Sequence, residues 1–172
     1  MVETLVVRVI KPSMFKEKEF QRAARALEDF AKKVKADYQK TTRTWSHKVV
    51  FHRYSRYGLR ELAAGVDTED EIYGYVERGT KPHVIMAGIY TGKSNKKALA
   101  FPSVFRPKTK PRVIGSAAGY KGGATIVRPF VQHPGTEARE FSKTIKKERE
   151  PWFRKRVDKA MSQARKASGH AI

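Results

Sequence analysis

The segment Ala87–Ser94 comes within one residue of a phosphate-binding P-loop. Its sequence, AGIYTGKS, has the Gly-Lys-Ser ending of that motif but an alanine where the first glycine belongs. A P-loop works only when a helix follows it, because the amides of the helix N-terminus bind the phosphates. Pro102 follows too soon for such a helix, and no Asp or Glu that could hold a metal lies between this segment and Glu137. We therefore predict no nucleotide site here.

Five histidines are the other side chains suited to acid–base chemistry: His47, His52, His83, His133 and His170. Only His47 and His52 are close in sequence, and strand alternation would place them on opposite faces, so we expect no shared metal. His83 and His133 each adjoin a proline. Either could be a general base in a ribonuclease-like site, although packing within a turn is the simpler interpretation. The sequence predicts a protein that is not an enzyme and that has no metal and no cofactor.

The charge is distributed very unevenly along the 172 residues. The chain has 37 Lys and Arg against 17 Asp and Glu, a formal net charge of +20, and residues 78–136 contain no acid at all. This acid-free stretch carries eleven cations: Arg78, Lys81, Lys93, Lys96, Lys97, Arg106, Lys108, Lys110, Arg112, Lys121 and Arg128. Such an excess is more than solubility needs and favours binding to a polyanion or to an acidic protein surface.

The elements that must position these residues begin with a strand and a long helix. Length and an apolar fraction of 40% suit a single domain, 1–172. Val2–Ile10 has strand composition, and Ser13 is a plausible N-cap for a helix after it. An apolar stripe with helical spacing follows: Phe20, Ala23, Leu27, Phe30, Val34 and Tyr38. Thr42–Tyr54 alternates as a second strand, and Leu59–Val66 fits either a short strand or a turn of helix.

The middle of the chain predicts a short helix and three strands. Thr68 to Glu71 has the form of a capping box, and Gly79 stands where the helix should end. The three short strands lie within Val84–Tyr90, Ala98–Phe105 and Thr125–Val131. Between the last two, residues 106–123 predict a long loop that projects from the body. Its cations are our candidate interface with a partner or with DNA: Arg106, Lys108, Lys110, Arg112 and Lys121.

The end of the chain predicts a C-terminal helical segment, 137–168. Thr136 is its candidate cap, and Pro151 favours two consecutive helices over one straight rod. The fold class is therefore α+β, with a mixed or antiparallel sheet of about five strands packed by the long N-terminal helix and the C-terminal segment. No apolar run is long enough for a membrane-spanning helix, and we expect no membrane partner.

Two segments are more specific than the rest. Tyr73–His83 reads YGYVERGTKPH and Val131–Phe141 reads VQHPGTEAREF. They resemble, in the same order, the paired Y-x-Y-V-E-x-G-T-x-P-H and H-P-G-T-x-A-R-x-F blocks of small tailed-phage proteins, the family of tail-completion, head-tail joining (neck) and minor tail proteins. Taken as physical chemistry, both blocks are turns. The residues that we assign to this structural motif are Glu77, Gly79, Thr80, His133, Pro134 and Gly135.

The resemblance implies a non-enzymatic virion part, assembled in the cytoplasm of a bacterial host and located at the neck or tail end. It implies a homo-oligomeric, hexameric ring that meets the connector or head-closure protein on one side and the tail tube or terminator on the other. Genomic DNA in the channel would be a further partner. The charge alone supports an alternative equally well, a sequence-independent nucleic-acid-binding protein.

Overall fold

Seven strands and four helices make up the part of the chain that the structure, a computed structural model, describes: residues 5–11, 20 and 22–167. The strands are β1 (Leu5–Ile10), β2 (His52–Tyr57), β3 (Glu61–Asp67), β4 (His83–Met86), β5 (Leu99–Arg106), β6 (Tyr120–Arg128) and β7 (Phe130–His133). The helices are α1 (Arg22–Thr42), α2 (Glu71–Arg78), α3 (Gly88–Thr91) and α4 (Phe141–Ala167). The predicted cap at Ser13 and the first residues of the predicted strand lie outside the described residues.

The strands form three separate antiparallel sheets. The first has the order β1-β3-β2, and the other two are the pairs β4-β7 and β5-β6. The predicted α+β class is confirmed, but the strands are not joined in one sheet of about five. An apolar run shows that a strand forms without showing which strand it pairs with, and here β5 and β6 pair only with each other.

The core lies between the first sheet, α1 and α4. The predicted helical stripe of α1 is confirmed, since all six of its residues are buried. Phe30 of α1 packs against Phe153 of α4 with 4.7 Å between ring centroids. Leu62, Ala64 and Val66 of β3 complete the same cluster from the sheet. Burying each of these larger side chains contributes about 2 kcal/mol, so this cluster is the main source of stability.

Helix α1 ends later than its pattern suggests. It continues to Thr42, and the Thr41 hydroxyl donates to the carbonyl of Tyr38 at 2.7 Å in the last turn. The predicted strand Thr42–Tyr54 is wrong over most of its length, because residues 43–51 form turns and irregular backbone and β2 begins only at His52. The ambiguous segment Leu59–Val66 is resolved as a strand, β3, the central strand of the first sheet.

Asp70, and not Thr68, caps α2. Its carboxylate accepts a hydrogen bond from the Tyr73 amide at 2.7 Å, which satisfies one of the free amides of the first turn. The Thr68 hydroxyl instead donates to the carbonyl of Val50 at 2.7 Å and so ties the start of α2 to the segment before β2. The capping-box interpretation thus places the cap two residues too early. Gly79 ends the helix, as predicted, with φ of +75°.

Helix α4 is one helix with Pro151 inside it, so the prediction of two consecutive helices is wrong. Buried residues on both sides of the proline, Ile145 and Phe153, hold the helix along the core. Pro151 lies on the exposed side, where water can satisfy the Lys147 carbonyl that loses its donor. No helix among the described residues is long and apolar enough to cross a bilayer.

Candidate interaction surface

The turns of the two sequence motifs, more than fifty residues apart, lie against each other. Thr80 and Thr136 form an isolated antiparallel bridge, with N–H···O distances of 2.9 and 3.1 Å in the two directions. We call the contact between residues 76–80 and 133–142 the junction. The structure thus brings the two sequence motifs together into one structural unit.

Glu77 connects the two helices of the junction. Its buried carboxylate accepts from the backbone amides of Phe141 at 2.8 Å and Ser142 at 2.9 Å, the first two residues of α4. In return, the amides of Arg139 and Glu140 donate to the carbonyls of Val76 and Glu77 at the end of α2. Each helix end therefore satisfies the unpaired backbone groups of the other. Glu77 therefore caps a helix that is distant in the sequence.

The glycines of the two motifs are explained by this contact. A Cβ on Gly79 would lie 2.5 Å from the Thr136 carbonyl oxygen, and one on Gly135 would lie 2.2 Å from the Thr80 carbonyl oxygen. Both glycines also have positive φ, a region that side chains disfavour. Thr136 is used in the bridge and does not cap α4, so the predicted capping role of Thr136 is wrong.

His83 and His133 are directly opposite each other where β4 pairs with β7. Their ring centroids are 5.1 Å apart. The Nδ1 of His83 contacts the Lys81 carbonyl at 2.8 Å, and the Nδ1 of His133 accepts from the Gly135 amide at 3.0 Å. A nitrogen of each ring thus contacts the backbone of its own turn, which supports the interpretation that these histidines pack within turns. Within the described ranges, no three His, Asp or Glu side chains converge on a point that could hold a metal ion.

The predicted projecting loop 106–123 is folded differently. Arg106 and residues 120–123 belong to strands, and the connection between them, 107–119, lies on the body. The Lys108 ammonium donates to the Thr44 carbonyl after α1, and the Arg112 amide donates to the Arg139 carbonyl at the junction. Ile114 packs on the core cluster. Hydrogen bonds and one apolar side chain therefore attach this loop to the body. Its glycine and proline content indicates a loop but does not indicate this attachment.

The five candidate cations have different environments, and the structure does not bring them together as one patch. Lys108 is half-buried, and Arg112 pairs with Glu140 at 3.3 Å. Hydrogen bonds from Lys143 and from Arg112 lower the pKa of Glu140. Lys110 is exposed. Arg106 and Lys121 are exposed on β5 and β6, where their cross-strand partners are Tyr120 and Phe105, so they lie on opposite faces of the pair.

The two outer strand pairs expose many large apolar side chains. We call β4-β7 and β5-β6, with the connection 87–98, the outer ribbons. Phe105 and Val127 are each 62% exposed, and Phe130 is 55% exposed. The other exposed large apolar residues of the outer ribbons are Val84, Ile85, Met86, Ile89, Tyr90, Val104 and Tyr120. Neighbouring residues such as Val84 and Ile85 point to opposite faces, so both faces of the ribbon are apolar and open to water.

An isolated two-stranded ribbon is marginally stable, and exposed apolar patches mark interaction sites. The sequence predicts strands for most of these residues but places the candidate interface in the neighbouring loop. The only signal that could have identified them is their position inside the acid-free stretch. A run such as Val84–Met86 has the same composition in a buried strand and in an exposed one, because composition does not reveal what covers the strand.

Comparison with known proteins identifies no relative of this chain. No protein-family model, no curated protein and no solved structure matches the chain.

Proposed function

We propose that this chain is a structural component of a tailed-phage virion, a tail-completion or neck protein. It assembles as a homo-oligomeric ring, hexameric by the resemblance, that joins the tail to the head connector. It acts by docking, without catalysis or a cofactor. It is made in the cytoplasm of a bacterial host and becomes part of the neck or tail end of the virion.

The exposed apolar surface of the outer ribbons is the observation that carries this proposal. These strands extend from the junction and the 107–119 loop, yet their exposed large apolar side chains lie outside the core cluster of the described residues. A chain that keeps such a surface exposed needs partners to cover it. Ring neighbours, the connector or head-closure protein and the tail tube or terminator would supply that cover, and DNA in the channel would meet the remaining cations.

The two motif blocks add a second line of support. Their resemblance to the phage family rests on the order Glu-x-Gly-Thr and then His-Pro-Gly-Thr. The junction gives this order a physical reason, since each block supplies the backbone partners of the other. A family that retains both blocks would retain this attachment of α4 to α2.

The test is to disrupt the gene in a phage or prophage that encodes the chain and to image the lysate by electron microscopy. We expect DNA-filled heads and complete tails that are not joined, and infectivity restored by the chain supplied in trans. Infectious, fully joined particles from the disrupted phage would refute the proposal.

Complementation with variants makes the test specific to the outer ribbons. Val127→Asp and Phe130→Asp should fail to restore joining while leaving the thermal unfolding of the purified chain unchanged. Val50→Asp is the matched control, since Val50 is 53% exposed on the body and lies outside the outer ribbons. It should restore joining fully. Equal complementation by all three variants would exclude the outer ribbons as the docking surface.

A second candidate function, sequence-independent nucleic-acid binding, is favoured by the surface of α4. A shallow groove along this helix is lined by Glu150, Pro151 and four basic side chains: Lys143, Lys146, Lys147 and Arg154. Further cations, Lys155 and Lys159, are exposed on the following turns. Such a surface would contact phosphates without reading bases.

A further inference from the structure

The outer ribbons carry positive charge that has no ion-pair partner in the part of the chain that the structure describes. Lys93, Lys96 and Lys97 are exposed in the connection between β4 and β5, and Lys121 and Arg128 are exposed on β6. Among the described residues, none of these five side chains makes an ion pair. The acid-free stretch itself offers no carboxylate. A surface that is both apolar and cationic calls for a partner surface that is apolar and acidic.

The start of α2 is such a surface. Glu69 and Glu71 are exposed, and neither makes an ion pair within the described ranges. Ile72 and Tyr75 are more than half exposed on the same outer face of the helix, while Tyr73 faces the core. We call Glu69, Glu71, Ile72 and Tyr75 the α2 patch. It is a second place where large apolar side chains and unpaired charge occur together, and its charge has the opposite sign.

We infer that the outer ribbons of one copy dock on the α2 patch of a second copy, so that the chain associates head to tail. Charge complementarity selects this occupant, because the acids excluded from residues 78–136 are available on the body of the same chain. No hydrogen bond, ion pair or ring contact among the described residues joins the α2 patch to the outer ribbons, so both remain available to a neighbour. The contact joins two different surfaces, and such contacts close into rings or continue as filaments.

Nucleic acid fits the outer ribbons less well than protein. Phosphate binding needs cations and gains nothing from the exposed apolar side chains of Val84, Ile85, Met86 and their apolar neighbours. The apolar core with a charged rim expected of a protein interface describes this surface better. The inference rests on the proposed ring and specifies which two surfaces form it.

The test is a charge exchange in the purified full-length chain, followed by sedimentation velocity over a range of concentrations up to about 200 µM. Glu69→Lys with Glu71→Lys reverses the α2 patch, and Lys96→Glu with Lys97→Glu reverses the ribbon connection. Each reversal should weaken self-association about tenfold or more. The chain with all four changes should recover most of the wild-type affinity, because the attraction is restored with the signs exchanged.

A matched control and a contact map complete the experiment. Glu148→Lys with Asp158→Lys changes two exposed acids on α4 that lie outside the α2 patch, and it should leave self-association unchanged. Carbodiimide coupling of a mixture of isotopically light and heavy chains should link Glu69 or Glu71 to Lys93, Lys96 or Lys97 between chains. Mass spectrometry distinguishes these links from those within one chain.

Three results would overturn the inference: a wild-type chain that remains monomeric throughout, reversals that have no effect, or a four-change chain that does not recover. Monomeric chains together with unjoined heads and tails in the disrupted phage would refute this contact and leave the virion role standing. Recovery by charge exchange together with normal particles from the disrupted phage would refute the virion role and leave this contact standing.

Discussion

At the scale of single residues, Glu77 shows how one carboxylate can fix the relation between two helices. It is buried, and its two oxygens accept from consecutive backbone amides at the start of α4. A charged acceptor suits this position because the amides at a helix N-terminus carry partial positive charge. The same residue offers its backbone carbonyl to Glu140, so side chain and main chain both contribute to the junction.

Replacing Glu77 by Gln should destabilise the protein by about 2 to 3 kcal/mol, because the carboxamide has only one oxygen and turns its NH2 group toward the second amide. The free energy of unfolding in urea measures this loss. Glu71→Gln is the control, since Glu71 is an exposed acid on the same helix and should change stability only slightly. Equal effects of the two variants would show that the capping of α4 by Glu77 is energetically unimportant.

At the scale of elements, a buried ion pair joins α1 to α4. The Asp37 side chain is almost fully buried on α1, and the Arg149 guanidinium of α4 reaches it with an Nη2···Oδ1 distance of 2.9 Å. Lys40 contacts the same carboxylate at 3.1 Å. Burial raises the pKa of Asp37, but the hydrogen bonds from Arg149 and Lys40 outweigh it and the pKa is lowered below 3.8.

This lowered pKa sets the direction of a pH dependence. Stability contributed by the Asp37 charge is fully present above the unfolded pKa, near 3.8, and is lost as the pH falls through the lower folded value. Asp37→Asn should therefore cost about 3 kcal/mol at neutral pH, because it leaves Arg149 half-buried without its anion. The difference from the wild type should shrink as the pH falls from about 4 toward 2.

Urea unfolding at several pH values measures this difference, and the exposed pair Glu150–Arg154 provides the control. Glu150→Gln removes a carboxylate that also pairs with an arginine of α4, but both side chains are open to water, so little stability should be lost at any pH. An Asp37→Asn deficit that stays constant with pH would mean that packing, and not charge, accounts for it.

The elements also show how far the sequence determines the fold. The stripe from Phe20 to Tyr38 predicts α1 because one buried face repeats at helical spacing over five turns. Thr42–Tyr54 misleads because its alternation is real and buries Val49 and Phe51, but the segment before His52 is irregular and pairs with no strand of the described residues. Pro151 misleads because the core contacts on both sides of it outweigh its local preference. The pairing of the strands and the position of the 107–119 loop depend on residues far away in the sequence. A local sequence pattern does not show which residues these are.

At the scale of the whole molecule, the acids are confined to one part of the chain. Residues 78–136 supply the outer ribbons and their unpaired cations, and every Asp and Glu lies in the remainder of the chain. The cations of α4 belong to that remainder, where Glu148, Glu150 and Asp158 partly offset them. The outer ribbons and α4 are therefore two distinct basic surfaces, one apolar and one polar, and they suit different partners.

Binding to random duplex DNA separates the two surfaces and the two candidate functions. A net charge of +20 should give measurable affinity at low salt, and an affinity that depends on several phosphate contacts should fall about a thousandfold or more between 50 and 200 mM salt. Lys146→Gln with Lys147→Gln should reduce the salt slope by about two, one unit for each lost contact. Lys96→Gln with Lys97→Gln, on the outer ribbons, should leave it unchanged. Fluorescence anisotropy with a labelled duplex measures the salt slope of the wild type and of both double variants. Strong binding that survives 200 mM salt, in a chain that does not associate with itself, would favour nucleic-acid binding as the function, and normally joined particles from the disrupted phage would then refute the neck assignment.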